Sequence, residues 1–550
     1  MTGPKPLDPY GRIAYAPETK AAPLALPSSF PVQSGQLPIV GRCAPTASKG
    51  ERHHAKLATL FHGIMKMKPS YAALAVLALG QASLPAAAAP ARKIPFENLL
   101  VRSIAIEGEG DRRFRLAERM AHYRVPGVSV AIIDKCRISE ARGFGSAGPG
   151  RGPVTAKTLF QAGSLSKTVS AVVALRLVEK GTLALDDDVR NVLKSWTLPD
   201  SPQASGEKVT LRRLLNHSAG INQEGGLGYR LGETLPTLLD ILHGRAPANT
   251  DPIRVARTPG AQWSYSGGGY YILQSMMTDR TGEDFPALVE RLLFRPLKMK
   301  SSAFAQPLPA ARAGRAAASV GPDGTPLDGG WRVNPELAAG GLWSTPEDLA
   351  RLLIGVSKAV RGEDHKLLRA DSAREMMRRG LGNWGLGVDL GPPDGPRRFS
   401  HTGHNVGFSS AYMMYLDSCQ GAVVMTNADQ GGWLVTEVLR AIGEAYSWPA
   451  RDILPVQRHV PMTDAIAGRF VGTYRLRDFP AERFAITRKQ DGGLYWARLG
   501  HVGRDLLAEH EGRLFSPDSK MILETDPAAP RAQAIELSFG GGSNAAIRVD

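Results

Sequence analysis

Cysteine is scarce in this chain of 550 residues, which holds only Cys43, Cys136 and Cys419. No set of cysteines and histidines has zinc-ligand spacing. His401 and His404 are neighbours without further ligands beside them, so no metal site and no cofactor are expected. Runs of one charge are missing as well. The formal net charge is +15, but Lys and Arg are scattered rather than clustered, which argues against a nucleic-acid partner. Long apolar runs are absent: the longest candidate, Tyr71–Leu79, offers about ten residues, too few for a permanent membrane span. What remains is an ordinary globular composition, 43% hydrophobic and 22% charged, with length for two or more domains and a large core.

The first 64 residues are rich in Pro, Ala, Ser and Gly without a sustained period and read as an unstructured leader. Met65-Lys66-Met67-Lys68 then precedes the apolar run and the small-residue stretch Ala82–Ala89. Basic, apolar, then Ala-x-Ala is the order of a secretory signal peptide, read here as 65–88 with cleavage after Ala88. A signal peptide acts at an N-terminus, so Met65 or Met67 is the expected start, and the periplasm or the exterior the expected location. No cysteine closely follows the apolar run, which argues against a lipid anchor. Residues 1–88 carry nine basic and three acidic residues, so the rest carries 58 against 49, a net +9.

Gly163-Ser164-Leu165-Ser166-Lys167 opens a long apolar stretch, TVSAVVALRLVEK, that ends at Gly181 and reads as a helix. Positions i and i+3 share a helix face, so the Lys167 amine can reach the Ser164 hydroxyl. A hydroxyl becomes a competent nucleophile when a neighbour takes its proton, and a lysine kept neutral by burial can do so. Ser-x-x-Lys is a serine-hydrolase signature. Four residues recur by chance in a chain this long, so the weight falls on what accompanies them.

Val128–Asp134 alternates as a strand, turns at Asp134-Lys135-Cys136 and continues toward Gly145 as a hairpin. Residues 165 to about 385 read as mostly helical with Gly/Pro-rich loops. Strands return at 407–416 and 422–426, and 434–445 closes the unit as a helix. Early and late strands around a helical middle imply a mixed sheet flanked by helices. After Pro449, seven short β-like segments (470–477, 484–489, 494–499, 514–515, 521–524, 534–539 and 545–549) suggest a small all-β barrel or sandwich.

Trp263-Ser264-Tyr265-Ser266-Gly267 follows Ser164 by about a hundred residues, and His401-Thr402-Gly403-His404 opens the late strands. Val209–Ile221 and Gly340–Leu349 lie between them. In this order the segments resemble the penicillin-binding-protein and class C β-lactamase superfamily of serine hydrolases, with its esterase and D-amino-acid peptidase branches, from Val125 to Trp448. Phe470-Val471-Gly472-Thr473-Tyr474 resembles the barrel appended to many members. The resemblance implies an α+β (α/β) fold. An antiparallel sheet flanked by helices, with a helical subdomain, would occupy 96–450, and a β-barrel 463–550. It implies Ser164 as nucleophile, Lys167 as general base and Tyr265 as general acid/base with a phenol pKa lowered by the lysine. It further implies an oxyanion hole from the backbone N–H groups of Ser164 and His404, and His401, Thr402, Gly403 and Gly267 around the substrate. Gly403 would let the strand lie close to that substrate.

Two positions depart from the family pattern. Tyr265-Ser266-Gly267 stands where Tyr-x-Asn is typical, and His401-Thr402-Gly403 where Lys-Thr-Gly is typical. A lysine grips a substrate carboxylate as a permanent cation; a histidine with pKa about 6.5 is mostly neutral at pH 7. Both changes weaken recognition of β-lactams and D-Ala-D-Ala ends more than acyl transfer. The expectation is an exported esterase or D-amino-acid amidase/peptidase acting on a small ester or peptide. A DD-carboxypeptidase or β-lactamase is the alternative within the enzymes, and a catalytically silent envelope-binding protein outside them; the oligomeric state stays open. In the implied fold the first strand pairs with the last, which brings Cys136 and Cys419 to one end and suggests a disulfide.

Overall fold

Val128–Ile133 carries apolar side chains at every position but Ser129, and the strand it forms is buried on both faces. The computed structural model describes residues 94–449, 454–539 and 542–550; the leader and signal segment read at 1–88 lie outside the described residues. The strands Gly127–Asp134 (β1), Arg137–Gly145 (β2), Arg398–Asn405 (β3), Phe408–Tyr415 (β4) and Gln420–Thr426 (β5) form one sheet in the order β2-β1-β5-β4-β3. Every pairing is antiparallel, so the mixed sheet read from the element order is corrected. Tight turns join β1 to β2, β3 to β4 and β4 to β5, which forces antiparallel neighbours.

In chain order the helices that matter here are Leu116–His122 (α1), Leu165–Glu179 (α2), Leu211–Leu215 (α3), Gly268–Thr281 (α4), Leu337–Gly340 (α5), Pro346–Val360 (α6) and Gly431–Ala445 (α7). Val128, Val130 and Ile132 of β1 pack with α1 and α7; Ala131 and Ile133 face the core around α2 and α6. Twelve of the 15 residues of α2 are buried, so this helix runs through the centre of the body rather than over its surface. The stretch 165–385 is less helical than its reading: 216–237 and 244–267 contain no helix. Gly220, Gly225, Gly226, Gly228 and Gly232 break the first of these segments.

The two turns at one end of the sheet meet because β1 pairs with β5, from Val128 opposite Thr426 to Ile133 opposite Gly421. Cys136 and Cys419 are disulfide-bonded there, with Cα atoms 5.0 Å apart.

After the body comes a helix, Asp464–Phe470 (α8), absent from the sequence reading, and then a closed antiparallel barrel. Its strands are Gly472–Leu476 (β6), Arg483–Arg488 (β7), Leu494–Arg498 (β8), Arg504–His510 (β9), Arg513–Phe515 (β10), Ile522–Glu524 (β11), Ala534–Phe539 (β12) and Gly542–Arg548 (β13). Eight strands replace the seven read from sequence. The missed one, β9, is RDLLAEH, whose charged residues and alanine are depleted in strands; it buries only Leu506 and Ala508. Ile466, Ala467 and Phe470 of α8 enter the barrel core. A buried ion cluster joins barrel and body: Arg119 of α1 donates to Glu437 of α7 and to Asp518 of the barrel.

Candidate active site

The start of α2 lies against β3 because two glycines face each other there. Gly163 has φ +53°, and a Cβ on it would sit 2.5 Å from the His404 backbone nitrogen. A Cβ on Gly403 would sit 2.1 Å from the Ala162 carbonyl oxygen and 2.4 Å from Ser410 Oγ. Such distances are far inside van der Waals contact. The missing side chain of Gly403 therefore makes room for the turn that carries Ser164.

Lys167 follows one turn later, 2% exposed, with Nζ 3.0 Å from Ser164 Oγ. Its Nζ also donates to the Ala339 carbonyl of α5 at 2.9 Å. A carbonyl only accepts, so it takes an N–H and leaves the lone pair of a neutral amine free for the serine hydroxyl. Burial lowers the Lys167 pKa to about 7, which makes a neutral amine available near neutrality. Tyr265 hydrogen-bonds Ser164 from the other side. Burial raises its phenol above the ordinary value despite that bond, which corrects the expected lowering. Lys167 Nζ stands 5.1 Å from the Tyr265 ring centroid, yet a lysine with a pKa of about 7 is already neutral where a phenol ionises and does little to stabilise a phenolate. Tyr265 accordingly keeps its proton at rest, while Lys167 offers a neutral amine beside Ser164.

His401 is buried on β3 and its pKa falls to about 3, through burial first and the Lys167 charge second. The imidazole is neutral at any ordinary pH. Nδ1 lies 2.6 Å from the Thr402 carbonyl, which can only accept, so the proton sits on Nδ1 and Nε2 is a bare acceptor. Nε2 has no partner among the described residues. Thr402 and His404 occupy the opposite face of the strand and are exposed. Ser400 exchanges both backbone hydrogen bonds with Asp389 on the side away from β4. Alternation turns the N–H of His404 toward that same open side, next to Ser164.

Gly267 is the N-cap of α4, and a Cβ on it would lie 2.6 Å from the Glu224 carbonyl oxygen. Its N–H donates to that carbonyl at 2.9 Å. The segment at Glu224 and Gly225 fills the space a longer residue would need. The Ala339 carbonyl, rather than a side-chain amide, is the second partner of Lys167.

Three neighbours escaped the sequence reading. His217, beyond α3, accepts from the Ser266 N–H at Nδ1 (3.1 Å) and lies 4.3 Å from the Tyr265 ring, fixing that ring from behind. Trp263 and Trp384 stack at 5.8 Å, and Trp384 is 5.1 Å from His401. His217 lies in the motif Val209–Ile221, which pointed to the region but not to the residue. Trp384 comes from a glycine-rich loop with no such signal. With Ser164, Tyr265, His401 and Thr402, the two tryptophans line a cavity of about 860 Å³. Among the described residues no group of three or more His, Cys, Asp or Glu is placed to hold a metal, and no helix is long and apolar enough to cross a membrane.

Residues 115–447 match the family described as Beta-lactamase. Penicillin-binding protein 4 of Amycolatopsis lactamdurans is 28% identical over 342 residues, 59% of this chain and 87% of that protein. Esterase EstB of Burkholderia gladioli is 31% identical over 172 residues, 30% of this chain and 43% of the esterase. Among solved structures, the octameric penicillin-binding protein homologue from Pyrococcus abyssi superposes with a TM-score of 0.50 at 21% identity, over 78% of this chain and 98% of that one, a likeness of fold.

Proposed function

The chain belongs to the beta-lactamase family of serine hydrolases, and on that premise we propose that it is an exported esterase or D-amino-acid amidase/peptidase that forms an acyl-enzyme on Ser164. The observation that carries the reading is the buried Lys167 amine 3.0 Å from Ser164 Oγ with a pKa near 7. Neutral Lys167 takes the serine proton as Oγ adds to the substrate carbonyl. The N–H groups of Ser164 and His404 receive the developing oxyanion. Tyr265 gives its proton to the leaving alcohol or amine and recovers one from the protonated lysine. Water then cleaves the acyl-enzyme by the same groups in reverse, releasing a carboxylic acid.

Two features favour an uncharged substrate group beside His401. The imidazole is neutral, so it offers no cation to a carboxylate, and the adjoining wall is the Trp263–Trp384 pair. Assays in parallel with a p-nitrophenyl ester, a chromogenic cephalosporin and a D-Ala-D-Ala peptide test the reading. Turnover of the ester faster than that of either the cephalosporin or the D-Ala-D-Ala peptide is expected. Faster cephalosporin turnover would reverse it.

A further inference from the structure

The barrel has a second cavity, of about 350 Å³, at the end where it meets Trp433 of α7. Its walls are the inward faces of the strands, including Phe484, Trp496 and Leu537, over the packed barrel core. Arg504 belongs to this inner face: side chains alternate along β9, and Arg504 shares its side with the buried Leu506 and Ala508. An eight-stranded barrel has an interior just wide enough to be filled by side chains or to hold one small ligand. Here the far end is filled by α8 and this end is not.

The charge at this mouth is one-sided. Three arginines, Arg483, Arg498 and Arg504, face one carboxylate, Glu482. Glu482 is already paired with Arg498. The Arg504 guanidinium carbon stands 3.9 Å from the Trp433 ring centroid, with Trp496 at 5.8 Å and Phe539 at 6.0 Å. A cation–π contact takes up the charge without using the five N–H donors of the guanidinium, which stay available to other partners. Among the described residues the Arg504 side chain makes no hydrogen bond and no ion pair within 4 Å, its nearest charged influences being Tyr123 and Asp518. Burial lowers its pKa to about 10, and the Asp518 carboxylate, Tyr123 and Tyr495 offset only part of that effect. Arg504 thus places a guanidinium at the rim of a chamber whose inner wall is Phe484, Trp496 and Leu537.

We propose that the barrel mouth is a binding site, separate from Ser164, for a small carboxylate with an apolar body, its headgroup forked by the Arg504 edge and its body against Phe484, Trp496 and Leu537. The inference stands apart from the catalytic reading: it uses none of the residues assigned to acyl transfer.

Calorimetric titration of the whole chain with octanoate, octanol and octylamine tests it. One octanoate per chain is expected, with octanol and octylamine at least tenfold weaker. Arg504→Gln should weaken octanoate at least tenfold, the range of a charge-assisted bidentate pair, and Arg504→Lys should weaken it less. Leu537→Trp, which fills the chamber and leaves the charge, should abolish binding while Ser164-dependent ester turnover persists. Melting curves identify any variant that does not fold, and the two Arg504 variants then carry the test. Absence of octanoate binding, equal affinity for octanol, or affinity unchanged in folded Arg504→Gln or Leu537→Trp protein would overturn the proposal.

Discussion

At the scale of single residues, the central fact is a lysine kept close to neutrality by burial. Acylation needs the free amine, so kcat/KM for a neutral ester should rise with pH through about 7 and level off above it. A profile flat from pH 5 to 9 would contradict that assignment. Lys167→Met should lower kcat by about 10³-fold, within the range of a lost general base. The same substitution makes a stability claim of defined sign. The folded pKa is depressed, so the unfolded chain binds the extra proton between about 7 and the ordinary lysine value, and the parent gains stability as pH rises across that window. The Tm advantage of Lys167→Met should therefore be largest near pH 6 and shrink toward pH 10. His401 gives a third test. Its neutral imidazole makes no claim on a carboxylate, so His401→Lys should raise the rate with an anionic substrate relative to a neutral ester by tenfold or more. Ser164 and Lys167 were legible because helical spacing alone joins them. His217 and Trp384 were not, because each acts through a ring brought from far along the chain, Tyr265 and His401 respectively.

At the scale of elements, the site depends on a helix start crossing a strand at the distance of two bare backbones. Gly163→Ala adds a methyl group 2.5 Å from the His404 nitrogen at a φ of +53°. It should cost about 1–3 kcal/mol of stability and, by separating Ser164 from the His404 N–H, at least 100-fold in kcat. Equilibrium urea unfolding and single-turnover acylation measure the two effects. The sequence made the main strands and α2 readable through their apolar runs and bounding glycines. It hid α8, whose last residue Phe470 had been counted with the following strand, and β9, whose charged ends mask a half-buried strand. The loops 216–237 and 244–267 were read too helically, and they are the segments that deliver His217, Trp263 and Tyr265 to the site. Their course is set by what they pack on rather than by local propensity.

At the scale of the molecule, body and barrel are joined through Arg119, Glu437, Tyr123 and Asp518, all buried. Arg119 holds the Asp518 carboxyl below the ordinary range together with His122, against the effect of burial. Asp518→Ala leaves Arg119 paired with Glu437 but removes the barrel's hydrogen bonds to Arg119 and His122, so it should cost about 1.5–3 kcal/mol and split one calorimetric melting transition into two. A single transition at the parent Tm would show that the cluster does not couple the parts. No sequence pattern announced this cluster, since its members lie about 400 positions apart at the extremes. The central claim, that Ser164 becomes acylated, is tested most directly by intact-protein mass spectrometry after treatment with a fluorophosphonate, followed by peptide mapping. The expected result is one adduct per chain on Ser164, formed faster as pH rises through 7 and greatly slowed in Lys167→Met. Folded protein with no adduct, or with the adduct on another residue, would contradict the account.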